Sequence, residues 1–420
     1  MREIIESMDR ADRDHKSGLD KVMVLGLGGC GSNTVAHLAN YGLKGPKLIA
    51  ANSDLQALDL CPAPHKIVLG PKCAGGTGCG GDPAMGAKAA EESMETILEE
   101  LSGAQIVFIT AGMGGGTGTG ASPVVAKALS ELPDPPLLVA VILLPFGYEA
   151  KRLRMGKQVL VQLSHYCKSV IPVYNDQLVK CFPKARTVEC LRIADDILLR
   201  AVASVTDLIQ YPGYVNVDMK DVKSVLGHSG QAIMGCGEAA GDDRVEQALK
   251  MAVNSPLMAD ASVAGAKAAL VNITSDDDIL MGETASINDA ISKAVGGDCN
   301  FIWGMAVDNT LKESGLMKVT VIATGLPLDE SLRELEPIVL EPELEPEIVL
   351  KPEPAITLAT PIVSSPVSEP EPEAMPEPEL KQVVKRRVIK LGGGGSSRSR
   401  LDNLKDDGGD SLNFMRNRQD

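Results

Sequence analysis

Between the apolar run Gln105–Ala111 and the helix-like stretch Ser122–Leu132 lies Gly112-Met113-Gly114-Gly115-Gly116-Thr117-Gly118-Thr119-Gly120, in which six of nine residues are glycine. A strand, a glycine loop and a helix in that order leave few folds open. Glycines let the backbone turn with φ > 0 and present successive N–H groups, while Thr117 and Thr119 add hydroxyls, so the loop suits a phosphate. Ser122 is expected to cap the following helix and Pro123 to open it, which aims a helix N-terminus at the same anion. The loop holds no lysine, so it is not of the G-x-x-x-x-G-K-[ST] type. Backbone dipoles, with or without a metal ion, must supply the positive charge.

Two more loops share this setting. Val22–Gly26 reads as a strand that enters Gly26-Leu27-Gly28-Gly29-Cys30-Gly31-Ser32-Asn33, with a helix expected from Thr34 to Asn40. Taken alone it fits G-x-G-x-x-G, a dinucleotide fingerprint, and the strand Lys47–Ala51 ends at Asn52-Ser53-Asp54, where a ribose-binding acid belongs. A nicotinamide-dependent oxidoreductase therefore stays open at this point. The strand Lys66–Leu69 precedes the glycine-rich 70–82, closed by Pro83 at the start of a helix expected to reach Leu101. Next come the buried-type strand Leu137–Leu144, the turn from Pro145 to Glu149, a basic helix with Lys151, Arg152 and Arg154, and the strand Ser169–Tyr174. Strands alternating with helices imply an α/β fold with a doubly wound, mostly parallel sheet. Ligands bind such sheets at the strand C-termini, where all three loops fall. Three loops converging on one edge suit a mononucleotide with several phosphates.

Glu189–Gln210 reads as one long helix, with apolar residues spaced by three or four and Pro212-Gly213 after it. Asn216, Asp218 and Asp221 follow at a loop-to-helix junction. Carboxylates at i and i+3 share one face and cap the helix; they also suit holding a metal or polarising a water. Helices at Asp242–Asn254 and Ile287–Val295 and strands at Ala268–Thr274, Asn300–Val307 and Lys318–Thr324 make a second α/β unit with mixed pairing.

Charge divides the chain again. Residues 331–380 hold 12 Glu against Arg333 and Lys351, together with 11 of the 26 prolines, so a net of −10 of the chain's −15 sits in one window. That window reads as an extended, self-repelling linker. Lys381–Arg400 carries seven basic residues and no acid, a run that attracts anionic lipid or nucleic acid or is simply solvated. Asp410–Asp420 places apolar side chains at helical spacing and suits a peptide that folds on a partner. The acidic balance argues against a general nucleic-acid binder. The nine cysteines show no metal-ligand spacing and read as reduced, mostly buried thiols; no apolar stretch reaches 18 residues, so a cytoplasmic protein without a transmembrane segment is expected.

Gly114-Gly115-Gly116-Thr117-Gly118-Thr119-Gly120 resembles the signature loop of the tubulin/FtsZ GTPase family, and Asn216-x-Asp218-x-x-Asp221 extends the likeness. Further matching stretches are Asn52 to Leu58, Pro145-Phe146 with Glu149, Ala194-Asp195-Asp196, Asn254 to Leu257 and Val271 to Thr274. The resemblance runs from about Lys21 to Leu326. It implies a GTPase that binds GTP or GDP with Mg²⁺ and polymerises head to tail into filaments at the mid-cell division site. It implies a flexible arm (1–18), a GTP-binding domain (19–187), a central helix (188–212), a C-terminal activating domain (213–328), a linker with its basic run (329–400) and a terminal peptide (401–420) for a membrane tether or division regulators.

The resemblance also implies roles. Gly28, Gly29, Cys30, Gly31, Ser32, Asn33, Gly78, Gly80, Asp82 and Gly114 through Thr119 hold phosphates, beside Asn52 and Asp54. Glu149 and one of Arg152 or Arg154 contact ribose and phosphates. Asn175 and Asp196 read guanine. Asn216, Asp218 and Asp221 act on the nucleotide of the next subunit. Departures are Cys30 and Ser32 in place of usual glycines, Asp82 where Asn is common, and Leu191 at the position of an aromatic that stacks on the base. Asp82 is expected to repel the γ-phosphate unless a cation intervenes. A nucleotide-binding scaffold without hydrolysis is the third reading, which the trio Asn216, Asp218 and Asp221 opposes.

Overall fold

The computed structural model describes residues 21–43, 45–210, 215, 217–253, 255, 263–308, 311–327, 332 and 335, and at residues 187, 188, 190, 191 and 207–210 the backbone alone. The expected N-terminal arm, basic run and terminal peptide, with Asn216 and the side chain of Leu191, lie outside the described residues; so does the expected linker except at Leu332 and Leu335, where Leu332 is buried in the core with Leu335 packed beside it, so apolar side chains there join the fold.

The first half alternates strand and helix: β1 (Val22–Leu27), α1 (Gly28–Tyr41), β2 (Lys47–Asn52), α2 (Leu55–Leu60), β3 (His65–Val68), α3 (Pro83–Glu92), α4 (Met94–Glu100), β4 (Ile106–Gly112), α5 (Thr117–Ser130), β5 (Leu137–Leu144), α6 (Ala150–Tyr166), β6 (Ser169–Tyr174) and α7 (Asn175–Cys181). Then come α8 (Thr187–Gln210), α9 (Met219–Leu226), β7 (Gly230–Ala239), α10 (Arg244–Val253), β8 (Ala268–Ser275), α11 (Met281–Val295), β9 (Asn300–Val307) and β10 (Met317–Leu326). The strands join in one sheet of order β3-β2-β1-β4-β5-β6-β7-β10-β8-β9. From β3 to β6 every pairing is parallel. Beyond β6 the pairing is mixed as expected, because β10 runs antiparallel to both β7 and β8.

Side-chain alternation explains why both faces are covered. Val22, Val24, Phe108, Val139 and Val141 point to one face, under Val35 and Leu38 of α1 and Leu198, Val202 and Val205 of α8. Met23, Leu25, Val107, Ile109 and Ala140 point to the other, under Val125 and Leu129 of α5 and Val159 and Leu163 of α6. With period 2 in the strands and apolar residues on two faces, a helix must cover each side. Each fully buried aliphatic side chain contributes about 1.5–3 kcal/mol. The core is aliphatic, with Phe108 its one large buried aromatic among the described residues.

The expected helix 83–101 is two helices. Ser93 interrupts it, its hydroxyl accepting from the Gly70 N–H at 2.9 Å and donating to the Val68 carbonyl at 3.2 Å. A side chain that serves the neighbouring loop in this way competes with the helix backbone. The eight described cysteines are thiols rather than disulfides; Cys61, Cys79 and Cys167 are buried and the other five half-buried, so fewer are buried than expected.

Candidate nucleotide site

In the order β3-β2-β1-β4-β5-β6 the direction of winding changes between β1 and β4, and a crevice opens outside the C-terminal ends of these two strands. β1 feeds directly into α1 at Gly28 and β4 reaches α5 at Thr117 through the short loop 113–116, and neither helix has a side-chain cap. Their first N–H groups are therefore offered to a ligand, and both helix dipoles favour an anion.

The helix starts differ from expectation. Gly28–Asn33 form the first turns of α1 rather than a loop before Thr34, and Gly28 enters the helix at φ +73°. A Cβ there would lie 2.8 Å from the Gly118 nitrogen, so the two helix starts touch. Likewise α5 begins five residues before Ser122, which is buried inside the helix with Pro123. The Gly114 N–H donates to Thr119 Oγ1 at 3.0 Å, and this bond closes the loop ahead of where the cap was sought. Gly114 sits at φ +88° with Arg152 and Pro145 against it, whereas a Cβ on Gly29 or Gly115 would meet nothing within 4 Å. The cradle is tight behind and open in front. Asn33 is exposed, Ser32 is buried with its hydroxyl unpartnered, and Cys30 packs on Gly112. Burial, with Asp195 adding to it, pushes the Cys30 thiol up to about 12.

The third loop closes on the first two. Ser53 Oγ lies 2.7 Å from Thr117 Oγ1, and the Cys79 thiol donates to Ser53 Oγ at 3.3 Å. Gly78 and Gly80 lie at φ +86° and +58°, and the Gly78 N–H donates to the Ser53 carbonyl. Asp82 caps α3, accepting from the Ala84 N–H at 2.9 Å, and its backbone lies against Gly116. Its carboxylate is committed to a helix N-terminus, whose dipole offsets the charge that was expected to act against phosphate. Asp54 caps α2 through the Ala57 N–H. Asn52 accepts from the Asp54 N–H with Oδ1, leaving its buried Nδ2 without a partner.

Glu149 and Arg152 pair at 2.7 Å, with Arg152 also packed on Gly114, while Arg154 is exposed and two residues further along α6. Of the two arginines, Arg152 is the one held at the cradle. Phe146 and Tyr148 stack at 5.1 Å, and Tyr148 is 81% exposed at this edge. Asn175 opens α7 with Oδ1 buried and unpartnered. Asp196 accepts from His37 Nε2 at 2.6 Å, and its neighbour Asp195 accepts from Thr34 Oγ1 at 2.7 Å. Burial holds the Asp195 carboxyl above its usual range. Ser53, Thr34, His37 and Asp195 were not singled out by sequence. Ser53 and Asp195 lie within stretches the resemblance covers; for Thr34 and His37 no local pattern exists, because their partners lie about 160 residues away.

Asp218 and Asp221 are elsewhere. The helix α8 has 24 residues, which at 1.5 Å per residue spans about 36 Å, and it carries the chain away from the cradle. At its far end α9 delivers its Leu226 carbonyl to the Ser169 hydroxyl at the start of β6, and Gly230 N–H bonds to Lys168. The cradle lies at the other end of β6. Within one chain α8 therefore runs from the cradle side, where Asp195 and Asp196 meet α1, to the segment that carries Asp218 and Asp221.

Sequence comparison decides the family. The "Tubulin/FtsZ family, GTPase domain" matches residues 21–183, and the "FtsZ family, C-terminal domain" matches residues 230–327. The cell division protein FtsZ of Haloferax mediterranei is 38% identical over 306 residues, covering 73% of this chain and 80% of the relative. The chain belongs to the FtsZ family. Similar to it too are the cell division protein FtsZ of Caulobacter vibrioides, 39% identical over 76% of this chain, and FtsZ 2 of Methanocaldococcus jannaschii, 35% identical over 78% of this chain and 86% of that one. The match spans 62% of the Caulobacter protein's length. Among solved structures, an empty FtsZ dimer of M. jannaschii aligns with a TM-score of 0.67 at 35% identity, over 72% of this chain and 88% of that one. FtsZ membership removes the nicotinamide-oxidoreductase reading, although its dinucleotide-like strand order is present.

Proposed function

We propose that this FtsZ-family chain binds guanine nucleotide at the cradle, hydrolyses GTP to GDP and phosphate, and polymerises head to tail into cytoplasmic filaments that form the division ring at mid-cell. The observation that carries the proposal is that α8, which meets α1 of the cradle through Asp195 and Asp196, runs on to Gln210 before the chain reaches Asp218 and Asp221. A chain that cannot bring its own carboxylates to its own phosphates completes a site only by stacking on a second copy.

The residues fit such a ligand. Uncapped N–H groups of α1 and α5 receive the phosphates, with Gly78, Gly80 and the Gly114–Gly116 backbone around them. Asn52 Nδ2 and Asn175 Oδ1, both buried without partners, are donor and acceptor for ribose and base. Glu149 orients Arg152 toward phosphate, and Asp196 reads the base. In the next subunit Asn216, Asp218 and Asp221 orient the attacking water, and the carboxylates polarise it and accept its proton. Mg²⁺ supplies charge neutralisation on the phosphate oxygens when bound.

The domain division follows the same reading: nucleotide domain 19–187, central helix 188–212 and activating domain 213–328. Beyond it lie the spacer 329–400 and the peptide 401–420, which docks a membrane tether or division regulators through Asp410–Asp420. Phosphate release from GTP with Mg²⁺, followed against protein concentration beside light scattering, tests the proposal. A threshold shared by both signals is expected; hydrolysis linear in protein with no scattering would overturn it.

A further inference from the structure

Guanine offers a carboxylate two donors, N1–H and the 2-amino group, so full reading of the base uses both oxygens of Asp196. One of them is already taken: His37 Nε2 lies 2.6 Å from Asp196 Oδ1, with the two side chains 32% and 30% exposed. The contact joins α1, whose first turn forms the cradle, to α8. Asp195 does not compete for the imidazole, because Thr34 Oγ1 holds it.

We propose that His37 is a specificity-determining partner of Asp196: neutral His37 yields Oδ1 to the guanine 2-amino group, whereas protonated His37 keeps it. Preference for guanine over hypoxanthine nucleotides then weakens as pH falls. The inference rests on the base-reading role of Asp196 given above.

The charged groups acting on His37 all sit on α8. The hydrogen bond to Asp196 dominates and raises His37 from its ordinary value; burial and Arg192 oppose it, and the charges of Asp196 and Asp195 assist. A charge-assisted hydrogen bond is about twice as strong as a neutral one, so the imidazolium is the form that does not give way. When guanine takes Oδ1, His37 loses its main stabilising partner, its pKa drops, and the proton leaves to solvent. The sign follows: guanine affinity is lowest below the bound-state value and rises as pH climbs through the raised His37 value. Hypoxanthine has the N1–H alone and needs only Oδ2, so its affinity carries little of this dependence.

The test uses the full chain, displacing a fluorescent GDP with GDP or IDP at about pH 6 and about pH 8. The wild-type GDP/IDP affinity ratio is expected to grow several-fold toward the higher pH. In His37→Gln, whose amide can reach Asp196 but takes no proton, the ratio stays flat. Asp196→Asn should lose the preference for GDP at every pH. A wild-type preference that Asp196→Asn removes but that ignores pH, or a slope that survives His37→Gln, overturns the role of His37 and leaves base reading intact. Absence of any GDP preference in the wild type overturns base reading itself. Should His37→Gln fail to fold, the wild-type His37 ring resonance serves: its titration midpoint must fall when GDP is added, and an unmoved or raised midpoint overturns the proposal.

Discussion

Asp218 and Asp221 hold each other's backbone: Asp218 Oδ1 accepts from the Asp221 N–H at 2.9 Å, and Asp221 Oδ2 accepts from the Asp218 N–H at 3.1 Å. This capping box starts α9 and fixes the two carboxylates at its first turn. Capping and catalysis are therefore not rival readings of the pair. The bonds that cap the helix also fix where the two carboxylates stand, as the proposed role requires.

The two roles separate by substitution. Asp221→Asn keeps an oxygen for the Asp218 N–H, so the helix start and assembly survive, while the negative charge is lost. Turnover within filaments is expected to fall about 10²–10⁴-fold, the range for a lost general base. Asp218→Ala removes the cap as well and should cost about 1 kcal/mol in urea denaturation. Asp221→Asn filaments that hydrolyse GTP at the wild-type rate would sink the trans assignment.

Gly28 and Gly29 are neighbours with opposite constraints. Gly28→Ala meets φ +73° and the Gly118 nitrogen at 2.8 Å, so it should lose about 1–2 kcal/mol of stability to strain and nucleotide binding with it. Gly29→Ala meets no protein atom within 4 Å and gains helix propensity, so its fold should hold while its Cβ intrudes on the open face of the cradle. Melting temperature and GDP affinity measured together distinguish them. Unchanged GDP affinity in Gly29→Ala would place the phosphates elsewhere.

The half of the fold that alternates short apolar runs with glycine loops was legible because strand ends and loops mark each other; β5, β6 and β9 fall at their expected limits. Helix starts were not. Glycine-rich Gly28–Gly31 and Thr117–Gly120 have poor helix propensity, and their glycines are dictated instead by close packing, since a Cβ on Gly28, Gly31, Gly118 or Gly120 would meet backbone atoms within 3 Å. Ser122-Pro123 imitated a cap inside a helix already begun. The Asp218/Asp221 box was legible through its spacing and Glu149 through the resemblance, whereas the choice between Arg152 and Arg154 was left open. His37–Asp196 and Ser53–Thr117 were not legible, since tertiary contacts between distant segments leave no local pattern.

Gly120 tests the packing argument. Its position on α5 faces α3, where a Cβ would lie 1.9 Å from the Pro83 carbonyl oxygen and 2.6 Å from the Ala87 nitrogen. Backbone cannot rotate aside as a side chain can, so Gly120→Ala must push the two helices apart. Overpacking of this kind costs about 1–3 kcal/mol or more. Chemical denaturation should show a loss within or above that range, and a neutral or stabilising result would mean that α3 and α5 slide freely.

Arg244 gives the acid dependence of the second half. Its guanidinium grips Glu283 with two bonds, Nε to Oε1 at 2.7 Å and Nη2 to Oε2 at 2.8 Å, and reaches the Gly315 carbonyl at 3.2 Å. The Arg244 bond, then the Leu280 N–H, holds the Glu283 carboxyl below its ordinary 4.5. A carboxylate with a lowered folded-state value contributes stability above its unfolded value and loses it as pH falls through the folded one. Glu283→Gln should therefore cost about 1.5–3 kcal/mol at neutral pH, as for a hydrogen bond to a charged group. Below the folded-state value the wild type is protonated too, and the gap between the two should close. Urea midpoints taken at neutral pH and in acid decide it: a gap of equal size at both would mean that the Arg244–Glu283 charge pair contributes nothing beyond its shape.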